Sequence, residues 1–165
     1  MTYDFHQQLS QGEDDEAVLD AFFSRFYAIE TATAELQRLG IDRIFTARAN
    51  GMRKSVEYKS DVTAARTGNA FIETISVDTA GKKGWAFTCC AQYLVYYVPP
   101  TGVAYVWQVT RIKEQLPAWL AEPERYPVRE IPNARGTDLY RTHGVLVRLT
   151  ELEPSATYVA RIKAA

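Results

Sequence analysis

The spacing of apolar residues changes at Gly40, and this change constrains the fold more than any other feature of the chain. From about Glu16 to Leu39, apolar side chains recur every three or four residues, which is typical of one amphipathic helix or of two helices separated near 31–33. Beyond Gly40, short apolar runs alternate with turn residues, which predicts strands at 41–47, 55–59, 70–77, 93–98, 103–109, 145–149 and 158–162. With a further helix at 110–122, this order predicts an α+β fold with a mixed sheet flanked by helices.

The length of 165 residues favours a single domain over 1–165. Hydrophobic residues make up 47% of the chain, which excludes a disordered or collagen-like protein. We expect a soluble cytoplasmic protein, because the chain has neither a long apolar run nor a basic, apolar leader. The adjacent cysteines, Cys89 and Cys90, suit neither an ordinary disulfide nor a four-ligand zinc site, and we expect both to be reduced.

Charge is unevenly distributed along the chain. The formal net charge is −1, but residues 1–20 contain six acidic residues and no Lys or Arg, so the remainder carries +5. We expect residues 1–15 to form a flexible acidic arm. Residues 43–66 contain six basic residues and two acidic ones, which suits either a polyanion-binding surface or an ordinary solvated face.

Three side chains of a predicted hairpin bring acid and amine groups together. Asn50-Gly51 is a strong tight-turn signal between the first two predicted strands, which should therefore pair as an antiparallel hairpin. In the second of these strands Glu57 and Lys59 project from one side, because side chains alternate between faces. Asp42 lies at the start of the partner strand, within expected reach of Glu57.

This arrangement suits phosphodiester hydrolysis. Two carboxylates can hold one divalent cation, and a nearby ammonium group can orient or activate water. The Glu-x-Lys spacing alone is weak support, since about one acid-x-Lys match is expected by chance in a chain of this composition. The alternative interpretation is a set of surface ion pairs on an ordinary hairpin.

The context of the motif resembles a known family. The segment 40–43 followed by Glu57-x-Lys59 resembles the PD-(D/E)XK nuclease superfamily, which has the restriction-endonuclease-like fold. The runs 67–73, 84–85 and 93–97 are similar to those of members encoded by phages and prophages. The resemblance covers roughly residues 30–110. It departs from the family pattern at Ile41, which stands where the name-giving proline would be, while Glu as the middle acid is allowed.

The resemblance implies a role for each residue of the motif. Asp42 and Glu57 would be ligands of Mg²⁺ or Mn²⁺, and Lys59 would be the catalytic lysine. Glu35 on the first helical segment and Glu73 on the next strand are further candidate metal ligands. For Glu35, an ordinary solvent-facing role is the competing interpretation.

The expected function is hydrolysis of DNA phosphodiester bonds, by endo- or exonuclease action. We expect the DNA backbone to contact Arg43, Arg66, Asn69, Lys82 and Lys83, although the turn at Asn69 is also compatible with a plain β-turn. A homodimer is a reasonable expectation, because cutting two strands commonly needs two sites. The alternatives are a non-catalytic phage or prophage module that keeps the fold, for binding or structure, and a cysteine-dependent hydrolase.

Overall fold

The protein, as a computed structural model, is described over residues 5–162, and it has the α+β architecture that the sequence predicts. Residues 1–4 and 163–165 of the predicted domain lie outside the described residues. The helices are α1 (Phe5–Phe23), α2 (Ala34–Arg38), α3 (Ala64–Thr67), α4 (Trp85–Thr88), α5 (Val109–Ala121) and α6 (Leu149–Leu152). The strands are β1 (Tyr27–Thr31), β2 (Arg43–Ala47), β3 (Arg53–Ser60), β4 (Asn69–Val77), β5 (Lys82–Lys83), β6 (Tyr93–Val98), β7 (Val103–Gln108), β8 (Val128–Arg135), β9 (Asp138–Arg148) and β10 (Tyr158–Arg161).

Six strands form a mixed sheet in the order β1-β2-β3-β6-β7-β10. The predicted hairpin is its second and third strand: β2 and β3 pair antiparallel, with Arg43 opposite Val56. The turn between them places Gly51 at a φ of 71°, a left-handed conformation that glycine adopts at no steric cost. The strands β3 and β6 are parallel, with Glu57 opposite Leu94 and Lys59 opposite Tyr96.

Four strands form a second, antiparallel sheet in the order β5-β4-β9-β8. Its centre is the long pairing of β4 with β9, in which Glu73 lies opposite Gly144. A register shift follows between Glu73 and Ile75, which bends β4 where it approaches β5.

The six-stranded sheet is covered on both faces. On one face α1 packs through Leu19 and Phe23 against Phe45, Tyr58 and Val95. On the other face lie the four-stranded sheet, α4 and α5, and the buried residues of this layer include Ile72, Trp85, Leu94, Trp107, Ile112 and Val145. Because side chains alternate along β3, Tyr58 faces α1 while Glu57 and Lys59 face the second sheet.

Between residues 5 and 39 the structure differs from the prediction. The segment from about Glu16 to Leu39, which is predicted to be helical, contains the strand β1 between α1 and α2. The helix α2 begins after Thr33, whose hydroxyl accepts a hydrogen bond from the N–H of Leu36. Residues 5–15 of the expected flexible acidic arm belong to α1. Asp15 is buried and Glu16 is half-buried, so the chain packs on the domain at these two positions.

Over residues 5–162, no helix has both the length and the apolar character needed to cross a membrane.

Candidate active site

The hairpin holds Asp42 beside the middle of β3. Asp42 immediately precedes β2, and its backbone N–H donates to the carbonyl of Val56 over 2.9 Å. Its side-chain Oδ2 accepts a hydrogen bond from the backbone N–H of Tyr58 over 2.8 Å. The carboxylate of Asp42 is thereby anchored to the residue that separates Glu57 from Lys59.

Glu57 is a buried carboxylate with one unsatisfied oxygen. The residue is 4% exposed. Its Oε1 lies 2.6 Å from the Nζ of Lys59, whereas its Oε2 is buried and accepts no hydrogen bond from any residue between 5 and 162. The side chain of Lys59 is 36% exposed, so solvent reaches the Glu57–Lys59 ion pair from the side of the lysine. A buried carboxylate oxygen without a partner is costly and is a common feature of functional sites.

Burial and neighbouring charge shift the titration of both groups. Burial raises the pKa of Glu57 to about 7, Lys59 opposes this shift, and the negative charge of Asp42 adds to it. Burial acts to lower the pKa of Lys59, but the carboxylates of Glu57, Asp42 and Glu73 outweigh it and raise that pKa. Three carboxylates therefore act on one ammonium group, and proximity of this kind is typical of a functional site.

Glu73 approaches this group from the second sheet. Its Oε1 accepts a long hydrogen bond of 3.4 Å from the backbone N–H of Trp85, at the start of α4. Burial raises the pKa of Glu73, while Lys59 and the N–H of Trp85 oppose the shift. Gly84 makes this approach possible: a Cβ at that position would lie 2.7 Å from the Cγ of Glu73. The N–H of Trp85 is a site component that sequence reasoning missed.

Glu35 lies apart from the other acidic candidates. It is exposed in the first turn of α2. The carboxylates that act on Lys59 are those of Glu57, Asp42 and Glu73. Within residues 5–162, no set of three or more His, Cys, Asp or Glu side chains is arranged closely enough to hold a metal ion. Asp42 and Glu57 are a pair of neighbouring carboxylates, and Glu73 is a third acid whose charge acts on Lys59.

Arg43 does not face this group, contrary to the expectation that it contacts DNA. It is 8% exposed, and its guanidinium forms ion pairs with Glu16 and Asp20 of α1. It also lies over the ring of Tyr58, on the α1 side of the sheet. Its charge is satisfied inside the protein, because α1 supplies two carboxylates there, and Arg43 is therefore not available to contact DNA.

The other expected DNA contacts fall in two places along β4. Arg66 on α3 is exposed, and Asn69 begins β4 with its side-chain amide donating to the carbonyl of Thr67. Lys82 and Lys83 are exposed on β5, beside the opposite end of β4. At the usual strand rise these two places are about 20 Å apart. The charge of Lys82 acts on Glu73, which places Lys82 near the candidate site.

Cys89 lies next to the site, and its burial disfavours a role as a nucleophile. It is 1% exposed, and its Sγ donates to the carbonyl of Gly40 over 3.2 Å. Burial raises the pKa of its thiol to about 11, which keeps it protonated at neutral pH. The neighbouring charges of Glu57 and Lys59 also act on it. These properties oppose the cysteine-dependent hydrolase interpretation.

Comparison with known proteins gives no relative for this chain: no family model, no curated protein and no solved structure matches it.

Proposed function

We propose that the protein is a metal-dependent nuclease that hydrolyses DNA phosphodiester bonds, with Asp42 and Glu57 holding Mg²⁺ or Mn²⁺ beside Lys59. The observation that carries this proposal is the Oε2 of Glu57, which is buried beside the carboxylate of Asp42 and accepts no hydrogen bond from the described residues. Carboxylate oxygens are the ligands that both cations prefer. A bound cation would satisfy this oxygen and offset the repulsion between the two acids.

The small number of protein ligands is compatible with such an ion. Mg²⁺ keeps several waters and is commonly held by one or two carboxylates together with substrate phosphates. A set of three protein ligands, which the described residues do not supply, is therefore not required. Glu73 could contribute through water, and Glu35 has no place in this proposal.

Each residue of the site would have a distinct task. When bound, the cation would offset charge that develops on the phosphorus oxygens. Asp42, whose carboxylate is anchored to β3, and Glu57, which is held by Lys59, would be the two protein ligands of the ion. An ammonium group carries three N–H donors, so Lys59 can donate to Glu57 and still orient water or a phosphate oxygen.

The proposal includes membership of the PD-(D/E)XK superfamily and the expected cytoplasmic location. Support for the family comes from the acidic residue at the start of β2, the Glu-x-Lys of β3 and the mixed sheet that contains both strands. For the DNA backbone we propose Lys82 and Lys83 as the nearer contacts and Arg66 and Asn69 as distant ones. A homodimer remains a prediction for duplex cutting.

The competing proposal is a non-catalytic binding or structural module. It is favoured by the ion pair of Glu57 with Lys59, which leaves the ammonium group partnered without any metal. In such a module the pair would be a local structural feature, and neither residue would affect cleavage of any substrate. The two proposals differ in metal binding and in turnover.

The test is cleavage of supercoiled plasmid, linear duplex, single-stranded DNA, branched DNA and RNA with Mn²⁺ or Mg²⁺. We compare the wild type with Glu57→Gln, Lys59→Met and the matched control Lys54→Met, since Lys54 lies on the same strand but faces α1. Isothermal calorimetry with Mn²⁺ measures metal binding in the same proteins. Any DNA substrate cut by the wild type is then tested with Lys82→Ala/Lys83→Ala.

Metal-dependent cutting that is lost in Glu57→Gln and Lys59→Met, but retained in Lys54→Met, supports the nuclease. Weaker Mn²⁺ binding in Glu57→Gln supports the assigned ligand. If the wild type binds no Mn²⁺ and cuts none of the substrates, the nuclease proposal is overturned and the module is favoured. Cutting of RNA alone would overturn the choice of DNA as substrate.

A further inference from the structure

A charged network on the back of the sheet connects α1 to the site. The carboxylate of Asp20 accepts hydrogen bonds from two side chains of the hairpin. Its Oδ2 lies 3.0 Å from the Nε of Arg43, and its Oδ1 lies 2.9 Å from the hydroxyl of Tyr58, which donates to it. The Nη2 of Arg43 also donates to Glu16 over 2.8 Å. Asp20 is thus the point at which both hairpin strands are tied to α1.

Both residues bound by Asp20 also bind Asp42. The Nη1 of Arg43 donates to the backbone carbonyl of Asp42 over 3.1 Å. The backbone N–H of Tyr58 donates to the carboxylate of Asp42 over 2.8 Å. Asp20, on the α1 face of the sheet, therefore connects through both Arg43 and Tyr58 to Asp42, which faces the site.

The apolar contacts of α1 constrain the positions of Arg43 and Tyr58 less precisely than the hydrogen bonds of Asp20 do. Leu19 and Phe23 hold α1 against the sheet through non-directional packing. The bonds of Asp20 are charge-assisted and directional, and Arg43 is stacked on the Tyr58 ring. Residues outside a metal-ligand set that orient the ligands typically change metal affinity or activity when they are replaced.

We infer that Asp20 is a positioning residue, which acts through Arg43 and Tyr58 to fix the carboxylate of Asp42 for metal binding. This inference rests on the proposed function for its metal, but the orientation of Asp42 can be measured without any metal. Asp20 lies on the α1 face of the sheet, opposite to Glu57 and Lys59, so it would contact neither a bound cation nor the substrate.

The test compares Asp20→Ala and Asp20→Asn with Leu19→Ala, which weakens the docking of α1 without removing a hydrogen bond. Asp20→Asn keeps an acceptor for the Tyr58 hydroxyl, so it provides a folded variant if Asp20→Ala fails to fold. Asp14→Asn, an exposed position of α1, controls for the lost charge. The measurements are global unfolding, hydrogen exchange at the Tyr58 amide without metal, Mn²⁺ affinity by calorimetry, and kcat and KM on any substrate found.

We expect the Tyr58 amide to exchange about tenfold faster in Asp20→Ala than in Leu19→Ala once both are corrected for global stability. We also expect Mn²⁺ affinity or kcat to fall about 10- to 100-fold with KM for DNA unchanged, a smaller loss in Asp20→Asn, and none in Asp14→Asn. Equal changes in Leu19→Ala and the Asp20 variants would overturn the inference and leave a purely structural role. If the wild type binds no Mn²⁺ and cuts none of the substrates, the nuclease proposal fails, while the Tyr58 exchange still decides whether Asp20 fixes Asp42.

Discussion

The carboxylate of Asp42 accepts a hydrogen bond from the backbone N–H of Tyr58, the residue between Glu57 and Lys59. This bond joins the start of β2 to the centre of β3 on the face where Glu57 is buried. It explains how a short hairpin can hold two carboxylates close together in the folded state, although their mutual repulsion contributes to the raised pKa of Glu57. Backbone pairing therefore fixes the positions of Asp42 and Glu57, while repulsion between their carboxylates destabilises the folded state.

The charge of Glu57 should make folding stability depend on pH. The pKa of Glu57 is about 7 in the folded protein and ordinarily 4.5. Between pH 4.5 and pH 7, Glu57 is therefore mostly protonated in the folded state and mostly ionised in the unfolded state. The stabilising effect of that proton is complete below pH 4.5 and is lost as the pH rises through 7. We expect a loss of roughly 2 to 3 kcal/mol in unfolding free energy over this range, which Glu57→Gln should abolish.

Chemical denaturation at several pH values between 4.5 and 8 measures this difference. Glu114→Gln, an exposed position on α5, is the control and should follow the wild-type curve. Parallel curves for the wild type and Glu57→Gln would contradict a pKa near 7 for Glu57.

The stability cost of replacing Lys59 should increase when its partner Glu57 ionises. Above pH 7 Glu57 is ionised, and Lys59→Met would leave a buried carboxylate without its cation. We expect Lys59→Met to cost about 1 to 3 kcal/mol at pH 8, discounted for the partial exposure of Lys59, and markedly less at pH 5. Denaturant titrations of the wild type and Lys59→Met at pH 5 and pH 8 measure this cost, with Lys54→Met as the control. An equal cost at both pH values would mean that packing of the lysine stem, and not its charge, stabilises the fold.

The proximity of Asp42, Glu57 and Lys59 could be predicted from sequence because it depends on local structure. A turn signal fixes which strands pair, and strand alternation fixes that Glu57 and Lys59 share a face. The strand β1 was missed because Tyr27 and Ile29 continue the helical spacing of the residues before them, and pairing with β2 decides their conformation. Tertiary contact overrides local pattern there.

The error at Arg43 has a similar origin. A basic residue in a basic segment suggests a solvent-facing contact, but its partners lie 23 and 27 residues earlier in the chain, at Asp20 and Glu16. The approach of Glu73 to Lys59 likewise depends on how the second sheet packs on the first. Neither relationship leaves a signal in local spacing.

The contact between Gly84 and Glu73 should make Gly84 intolerant of a side chain. The φ of Gly84 is −77°, so its backbone suits any residue, and the constraint is space alone: a Cβ would lie 2.6 Å from the carbonyl carbon of Glu73. We expect Gly84→Ala to destabilise the protein by about 1 to 3 kcal/mol and to displace Glu73 from the N–H of Trp85. Thermal denaturation measures the first effect.

Gly12 provides the matched control for this substitution. It lies within α1, and a Cβ added to it would have no neighbouring atom within 4 Å. Gly12→Ala should leave stability unchanged or raise it by up to about 1 kcal/mol, through helix propensity. If Gly84→Ala were as stable as Gly12→Ala, β4 and α4 would have to be further apart than described.

The two cysteines should differ sharply in reactivity, although they are adjacent in sequence. Cys90 is exposed, whereas Cys89 is buried with its thiol pKa raised to about 11, and the thiolate is the reactive form. We expect a thiol-specific chromogenic reagent to modify one cysteine per folded chain rapidly at pH 8, and Cys90→Ser to remove that reaction. In denaturant both thiols should react. Rapid labelling of folded Cys90→Ser would show that Cys89 is accessible. The cysteine-dependent hydrolase interpretation requires, in addition, that activity is lost in Cys89→Ser or Cys90→Ser and needs no metal.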